Sequence, residues 1–245
     1  MQYFNLDPKN TPNIFFQNGM DNTFQQAVSS ANLIANLVGY KPNGVGIIVN
    51  KTGGLGKDVI EFLNPTINLN GVLTGEYLQK IAEYNPNNKV LNVGHSAGNK
   101  DIIEAANYLK LNGVNFNGTV DYMSVGSPKS IAELQKALNP VGINVIGQFN
   151  HPFDPVVHPY IWGGGVVGMG VAGGAAGIAG LMPFLPTATT GIGTFFNVAI
   201  GGGIGGGIGA YSLNVNHPFE RYSKSDYKGM NEFIQNWAKE NPNKH

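Results

Sequence analysis

The chain alternates short apolar runs with amphipathic stretches for most of its length. Residues 13–20 (Asn-Ile-Phe-Phe-Gln-Asn-Gly-Met) read as a buried strand ending in a tight turn. Asp21 and Asn22 then cap a helix whose apolar positions are Phe24, Ala27, Ala31, Ile34, Leu37 and Val38. Residues 45–50 are a second apolar strand, 52–56 a glycine loop and 58–63 a short helical turn. A helix is expected from about Thr74 to Tyr84 (Leu78, Ile81, Ala82) and a strand over 89–93. A second helical pattern follows at once (Ile102, Ile103, Ala105, Ala106, Leu109). Further strands are expected over 118–125 and 141–149, with a helix over 131–138 between them and an amphipathic helix over 225–240 at the end. The strand runs are too apolar for a sheet with one wet face. Strands alternating with helices in this way predict an α/β fold, a mainly parallel sheet with helices on both faces.

The alternation is interrupted once. Residues 155–219 contain no Asp, Glu, Lys or Arg. At the chain's 12% charge content a run of that length arises by chance at a given start about once in several thousand. Within it, residues 161–182 and 191–210 are two apolar segments joined by a Pro- and Thr-rich tip. Eighteen of the 35 glycines fall between 163 and 209, many of them four apart, as in Gly201, Gly205 and Gly209. On a helix that spacing makes a stripe without side chains, against which a second helix packs closely. Residues 161–210 therefore read as a glycine-zipper helical hairpin, inserted in a domain formed by 1–160 and 211–245. Each arm is about as long as a bilayer span, although Gly and Ala are only weakly apolar.

Composition narrows the function. A net charge of zero argues against nucleic acid as a partner. The absence of cysteine excludes thiol catalysis, disulfides and cysteine metal sites. The N-terminal residues show no basic stretch followed by an apolar one, so no signal peptide is expected.

The strand over 89–93 runs into Gly94-His95-Ser96-Ala97-Gly98 and then a helix. Gly-x-Ser-x-Gly alone is a weak signal, expected by chance in about one chain of five this rich in glycine. Its strand–turn–helix setting strengthens it. A serine at the apex of such a turn projects free of its neighbours, beside backbone N–H groups and a helix N-terminus that stabilise an oxyanion. Glycines on either side are expected where strand and helix backbones crowd together. A nucleophilic serine also needs a base, an acid to orient it and an oxyanion hole.

Asp154, following the strand over 141–149, is the best-placed acid; the alternative is that Asp154-Pro155 simply starts a turn. Asp121 lies early within a strand, and Asp101 and Glu104 sit on the helix after Ser96, too close in sequence to reach behind a histidine. Among five histidines, His95 adjoins the serine but points away from it, His151 and His158 read as loop residues and His245 is terminal. His217 follows the last apolar run, and the chain order Ser, Asp, His favours it as the base. The oxyanion donors are expected to be the backbone N–H groups of Ala97 and Met20, with Gly19 permitting close approach.

Gly94–Gly98, Asp154-Pro155-Val156-Val157, His217 and Asn18-Gly19-Met20 together resemble the α/β-hydrolase superfamily, in its lipase-like branch. The resemblance covers residues 13–160 and 213–240. It implies Ser96 as nucleophile, His217 as general base, Asp154 as orienting acid, Met20 and Ala97 as oxyanion hole, and no metal or organic cofactor. The chain starts at what corresponds to the family's third strand, so the sheet is minimal, and the glycine hairpin stands where a cap would. A small lipase-like domain with a glycine zipper also resembles, more loosely, bacterial secreted toxin lipases.

Three functions follow as expectations. One is a lipase or phospholipase acting on membrane lipid, brought to the bilayer by residues 161–210. Another is a soluble esterase whose hairpin is a packed lid. The third is a non-enzymatic membrane-inserting toxin module. The lack of cysteine and of a signal peptide suits an effector exported by a dedicated bacterial secretion route, and the toxin resemblance implies an immunity protein as partner.

Overall fold

A computed structural model describes residues 11–19, 24–41, 44–49, 69–151, 154, 157, 219–223 and 228–242. Five strands form one parallel sheet: β1 (Ile14–Gln17), β2 (Gly46–Ile48), β3 (Val90–His95), β4 (Val120–Val125) and β5 (Ile143–Phe149). Their order across the sheet is β2-β1-β3-β4-β5. The helices are α1 (Phe24–Val38), α2 (Leu69–Tyr84), α3 (Gly98–Leu111), α4 (Ile131–Leu138), the single turn α5 (Phe219–Tyr222) and α6 (Lys228–Glu240).

Every residue of β1, β3 and β4 is buried, which is why these strands read as unbroken apolar runs. Successive side chains point to opposite faces. On one face Ile14, Phe16, Leu91, Val93, Met123 and Val125 pack with Ala27, Ala31 and Ile34 of α1 and Met230, Ile234 and Trp237 of α6. On the other, Phe15, Val90, Val120, Tyr122 and Ile143 pack with residues of α2, α3 and α4, among them Leu78, Ile102 and Leu134. The expected sheet with helices on both faces is present.

Most expected elements fall within two or three residues of their predicted ends. Two differ more. α2 begins at Leu69 rather than near Thr74. Its first turns contain Gly71 and Gly75, and glycine is a poor helix former. Both lie against α3: a Cβ on Gly71 would stand 2.4 Å from Glu104 Cβ, and one on Gly75 2.8 Å from the Tyr108 ring. Close packing of the two helices thus requires glycine where local propensity disfavours it. Val141, where the last strand is expected to begin, instead closes a 3-10 turn over Asn139–Val141. The turn ends at Gly142 with φ 70°, and β5 starts only after that left-handed residue. The loop 52–56, the turn 58–63 and the hairpin 161–210 lie outside the described residues.

The order of the strands positions the site. The chain runs from β1 outward to β2, then returns to place β3 on the other side of β1, and from there adds β4 and β5. Growth of the sheet reverses direction between β1 and β3. In open parallel sheets the crevice beyond the carboxyl ends of two such strands is where ligands bind.

The opposite end of the sheet is tied to the C-terminal helix. The buried carboxylate of Asp121 accepts hydrogen bonds from Trp237 Nε1 (2.8 Å), Asn144 Nδ2 (3.1 Å) and Lys89 Nζ (3.2 Å). Asn13 Nδ2 donates to the Asn241 carbonyl at 2.8 Å.

Candidate active site

Ser96 stands at the switch point. β3 ends at His95 and α3 begins at Gly98, so the chain reverses within two residues. Ser96 takes a left-handed conformation, φ 54°, which costs a non-glycine residue about 1–3 kcal/mol and persists only when the surroundings enforce it. Its N–H donates to the Val125 carbonyl at 3.0 Å, carrying the β3–β4 ladder one residue into the turn. The Asn99 side chain supplies the rest of the constraint. Its Nδ2 donates to the carbonyls of Ser96 (3.0 Å), Val125 (3.3 Å) and Gly94 (3.4 Å). Its Oδ1 accepts from the Tyr122 hydroxyl at 2.8 Å. Tyr122 is fully buried; desolvation, and then the negative charge of Asp101, push its hydroxyl pKa well above the ordinary value, so it stays a donor.

Neighbouring parts of the sheet crowd both flanking glycines. A Cβ at Gly94 would fall 1.9 Å from the Tyr122 hydroxyl, and one at Gly98 would fall 3.1 Å from the Asn18 carbonyl and from Gln17 Cγ. These contacts come from β4 and from β1 with the residue after it.

The turn after β1 abuts the serine. A Cβ on Gly19 would stand 2.3 Å from Ser96 Cβ and 3.1 Å from Ser96 Oγ. The Asn18 N–H donates to the Ile48 carbonyl at 3.2 Å and anchors the turn to β2. Ala97 opens α3, whose first-turn N–H groups and positive dipole end face the elbow. Of the expected oxyanion donors, Ala97 is described and Met20, next to Gly19, lies outside the described residues.

Asp154 is brought to the same end of the sheet. It follows β5, is wholly buried, and its N–H donates to the His151 carbonyl at 3.0 Å. Gly126, just after β4 with φ 55°, leaves it space: a Cβ there would lie 3.2 Å from Asp154 Oδ2 and 3.4 Å from His95 Cδ2. Asp154 therefore sits beside the histidine that precedes Ser96. His217, the expected base, lies outside the described residues, as do His158 and His245.

The other candidates have structural surroundings. His95 is buried, its ring 5.8 Å from Phe219, 6.2 Å from Tyr222 and stacked 6.5 Å from Phe16. Asp101 and Glu104 lie buried along α3, Glu104 paired with Lys100 at 3.4 Å.

Sequence reasoning assigned no role to three site residues. Asn99 and Tyr122 form the elbow clamp. Tyr222 donates its hydroxyl proton to Asp154 Oδ2 at 2.5 Å. The signal for Tyr222 is its position three residues after Phe219, on one face of a helical turn. Among the described residues no group of three His, Cys, Asp or Glu side chains is arranged to hold a metal ion, and no helix is long and apolar enough to cross a membrane. No protein-family model, curated protein sequence or solved structure matches this chain.

Proposed function

We propose that this chain is a serine hydrolase that cleaves carboxylic esters, a minimal member of the α/β-hydrolase superfamily acting on membrane lipid as a lipase or phospholipase. The observation that carries the reading is Ser96. It is held left-handed at a strand–helix turn at the sheet's switch point, with Gly19 of the neighbouring strand's turn packed on its Cβ. Strain of this kind at a ligand-binding crevice is what a projecting nucleophile requires.

Ser96 Oγ attacks the ester carbonyl while His217 takes its proton and Asp154 orients the imidazole. The backbone N–H groups of Met20 and Ala97 stabilise the oxyanion. The alcohol leaves with the proton from His217 and an acyl-enzyme remains. Water activated by the same histidine then releases the acid and regenerates Ser96. Two further facts support the assignment. Asp154 is buried at the carboxyl end of the sheet beside His95, and Phe219, two residues beyond His217, packs its ring 5.8 Å from His95.

The preference for lipid rests on residues 161–210, the inserted glycine-zipper hairpin without charged residues, which associates with the bilayer and delivers substrate to the serine. A bacterial effector exported to a target membrane and restrained by an immunity protein is the setting this combination suits.

Fatty-acid release from phospholipid vesicles tests the reading. Wild-type protein is expected to release fatty acid and Ser96→Ala to release none. Equal release by both proteins overturns the assignment. Cleavage of a short soluble ester without vesicle binding identifies a soluble esterase instead. Dye leakage undiminished by Ser96→Ala, without fatty acid, identifies a membrane-inserting module.

A further inference from the structure

We infer that Tyr222 is the positioning residue of the acid: it holds one oxygen of the Asp154 carboxylate and fixes its rotation. The inference rests on the hydrolase reading above and deepens it.

The hydrogen bonding around the phenol has only one consistent direction. A tyrosine hydroxyl has one proton to give and lone pairs to accept with. The backbone N–H of His151 is a donor only, and it points to the Tyr222 oxygen at 3.2 Å. The phenol proton is therefore available to Asp154, whose Oδ2 lies 2.5 Å away. Both residues are fully buried, so no water competes for either partner. The phenol thereby stabilises the ionised carboxylate, as a hydrogen bond to the charged form does, and fixes its rotation.

Placement on α5 fixes the phenol in turn. Phe219, at the start of this turn, lies 4.7 Å from the Phe16 ring of β1 and 5.8 Å from His95. Tyr222, at its end, holds Asp154, and Glu220 between them accepts from Ser30 Oγ of α1 at 3.1 Å. Three different elements thus grip the single helical turn that carries Tyr222, and the phenol is held in place against Asp154. Gly126 completes the fit: a side chain there would fall 3.1 Å from the Tyr222 hydroxyl, and only a left-handed glycine turns the chain at that point without filling the space.

Titratable groups near the pair are His95 from the end of β3 and His151 from the end of β5, with ring centroids 6.2 and 6.3 Å from that of Tyr222. Glu220 and Arg221 lie on α5 itself. With the phenol gone, the Asp154 charge is dispersed less and holds a proton on the base more strongly. The acid limb of the kcat/KM profile is then expected to move to higher pH.

Hydrolysis of a short p-nitrophenyl ester by the full chain tests this. Tyr222→Phe is expected to lower kcat by about ten- to a hundredfold, the scale of one hydrogen bond to a charged group, with KM little changed and the acid limb moved upward. In an Asp154→Asn background the same change is expected to cost little more, because the charge that the phenol stabilises is already gone. Replacing Tyr222 by 3-fluorotyrosine keeps the shape, strengthens the donor and is expected to move the limb downward, so the inference stays open to test if Tyr222→Phe folds poorly. Wild-type kcat and an unmoved limb in Tyr222→Phe, an unmoved limb with fluorotyrosine, or full additivity with Asp154→Asn would each overturn the inference while leaving Ser96 in place. Wild-type protein that cleaves no ester, or a Ser96→Ala protein that still does, overturns the hydrolase reading and this inference with it.

Discussion

Gly19 and Ser96 are in such close contact that a single methyl group cannot be placed between them: it would stand 2.3 Å from the serine Cβ. β1 and β3 are hydrogen-bonded neighbours running in parallel, so the turns that follow them end side by side. The contact is a consequence of strand order, and it gives the turn after β1 a defined distance from the nucleophile.

Gly19→Ala therefore has to move one turn or the other. The expected stability loss is about 1–3 kcal/mol, the cost of overpacking. Ester turnover is expected to fall by about a hundredfold, as for a displacement of the order of 1 Å at reacting groups. Thermal unfolding and steady-state kinetics on a short ester measure the two separately. Full turnover in a folded Gly19→Ala protein would show that this turn supplies no oxyanion donor.

The elbow clamp predicts a pH signature. Tyr122→Phe removes the donor to Asn99 Oδ1 and is expected to cost about 0.5–1.5 kcal/mol at neutral pH. The folded protein holds the Tyr122 proton more tightly than an unfolded chain does, first because the hydroxyl is buried and then because Asp101 is negative. A group whose pKa is raised on folding contributes stability that is complete below its unfolded value, near 10, and is lost as pH rises above it. Wild-type protein should thus lose stability above about pH 10 more steeply than Tyr122→Phe. Chemical denaturation between neutral and alkaline pH checks it, and parallel curves would remove Tyr122 as the cause.

The sheet could be read from the sequence because its three central strands, β1, β3 and β4, are short and buried on both faces, so each appears as an apolar run between polar turns. The elbow could be read because three special residues occupy five positions. Asn99 could not: a polar residue in a helical first turn has the same local signature whether it points to water or, as here, to three carbonyls. Tyr222 was missed for a similar reason. Its partner Asp154 is distant in sequence, and the polar Glu220-Arg221 pair before it hides the buried face of a one-turn helix. The reason for Gly94 and Gly98 was equally out of reach, because the atoms that exclude a side chain there belong to β4 and to the end of β1.

A capping box begins α4. Ser130 Oγ accepts from the Glu133 N–H at 3.3 Å, and Glu133 Oε2 accepts from the Ser130 N–H at 2.8 Å. Ser130→Ala is expected to cost about 1 kcal/mol at neutral pH. The Glu133 carboxyl is held below its usual pKa, foremost by the Ser130 backbone N–H and then by its hydroxyl. A group with a pKa depressed on folding contributes stability that is present above its unfolded value and lost as pH falls through the folded one. The difference between wild type and Glu133→Gln should accordingly shrink below the ordinary glutamate range, near pH 4. Urea midpoints across that range measure it, and a difference that holds constant into acid would assign the effect to packing.

Two buried aspartates, one at each end of the sheet, separate structure from chemistry. Asp121 holds Trp237 of α6 and the Lys89 ammonium at the amino end of the strands, whereas Asp154 holds Tyr222 at the carboxyl end beside the elbow. Asp121→Asn keeps the shape but withdraws the charge from three donors, one of them a half-exposed lysine that water can satisfy. The expected loss is therefore modest, about 1–3 kcal/mol for the hydrogen bonds to a charged group, with unchanged ester turnover. Asp154→Asn preserves the hydrogen bond from Tyr222 through an amide oxygen but can no longer balance a positive imidazole. Turnover is expected to fall by about 10³–10⁴-fold, the scale for removing the charge of a triad acid, with much less effect on stability. Measuring urea midpoints and kcat for both proteins gives a crossed pattern. A turnover loss in Asp121→Asn as large as that in Asp154→Asn would place the chemistry elsewhere than at the switch point, because Asp121 lies at the amino end of β4 and Ser96 beyond the carboxyl end of β3.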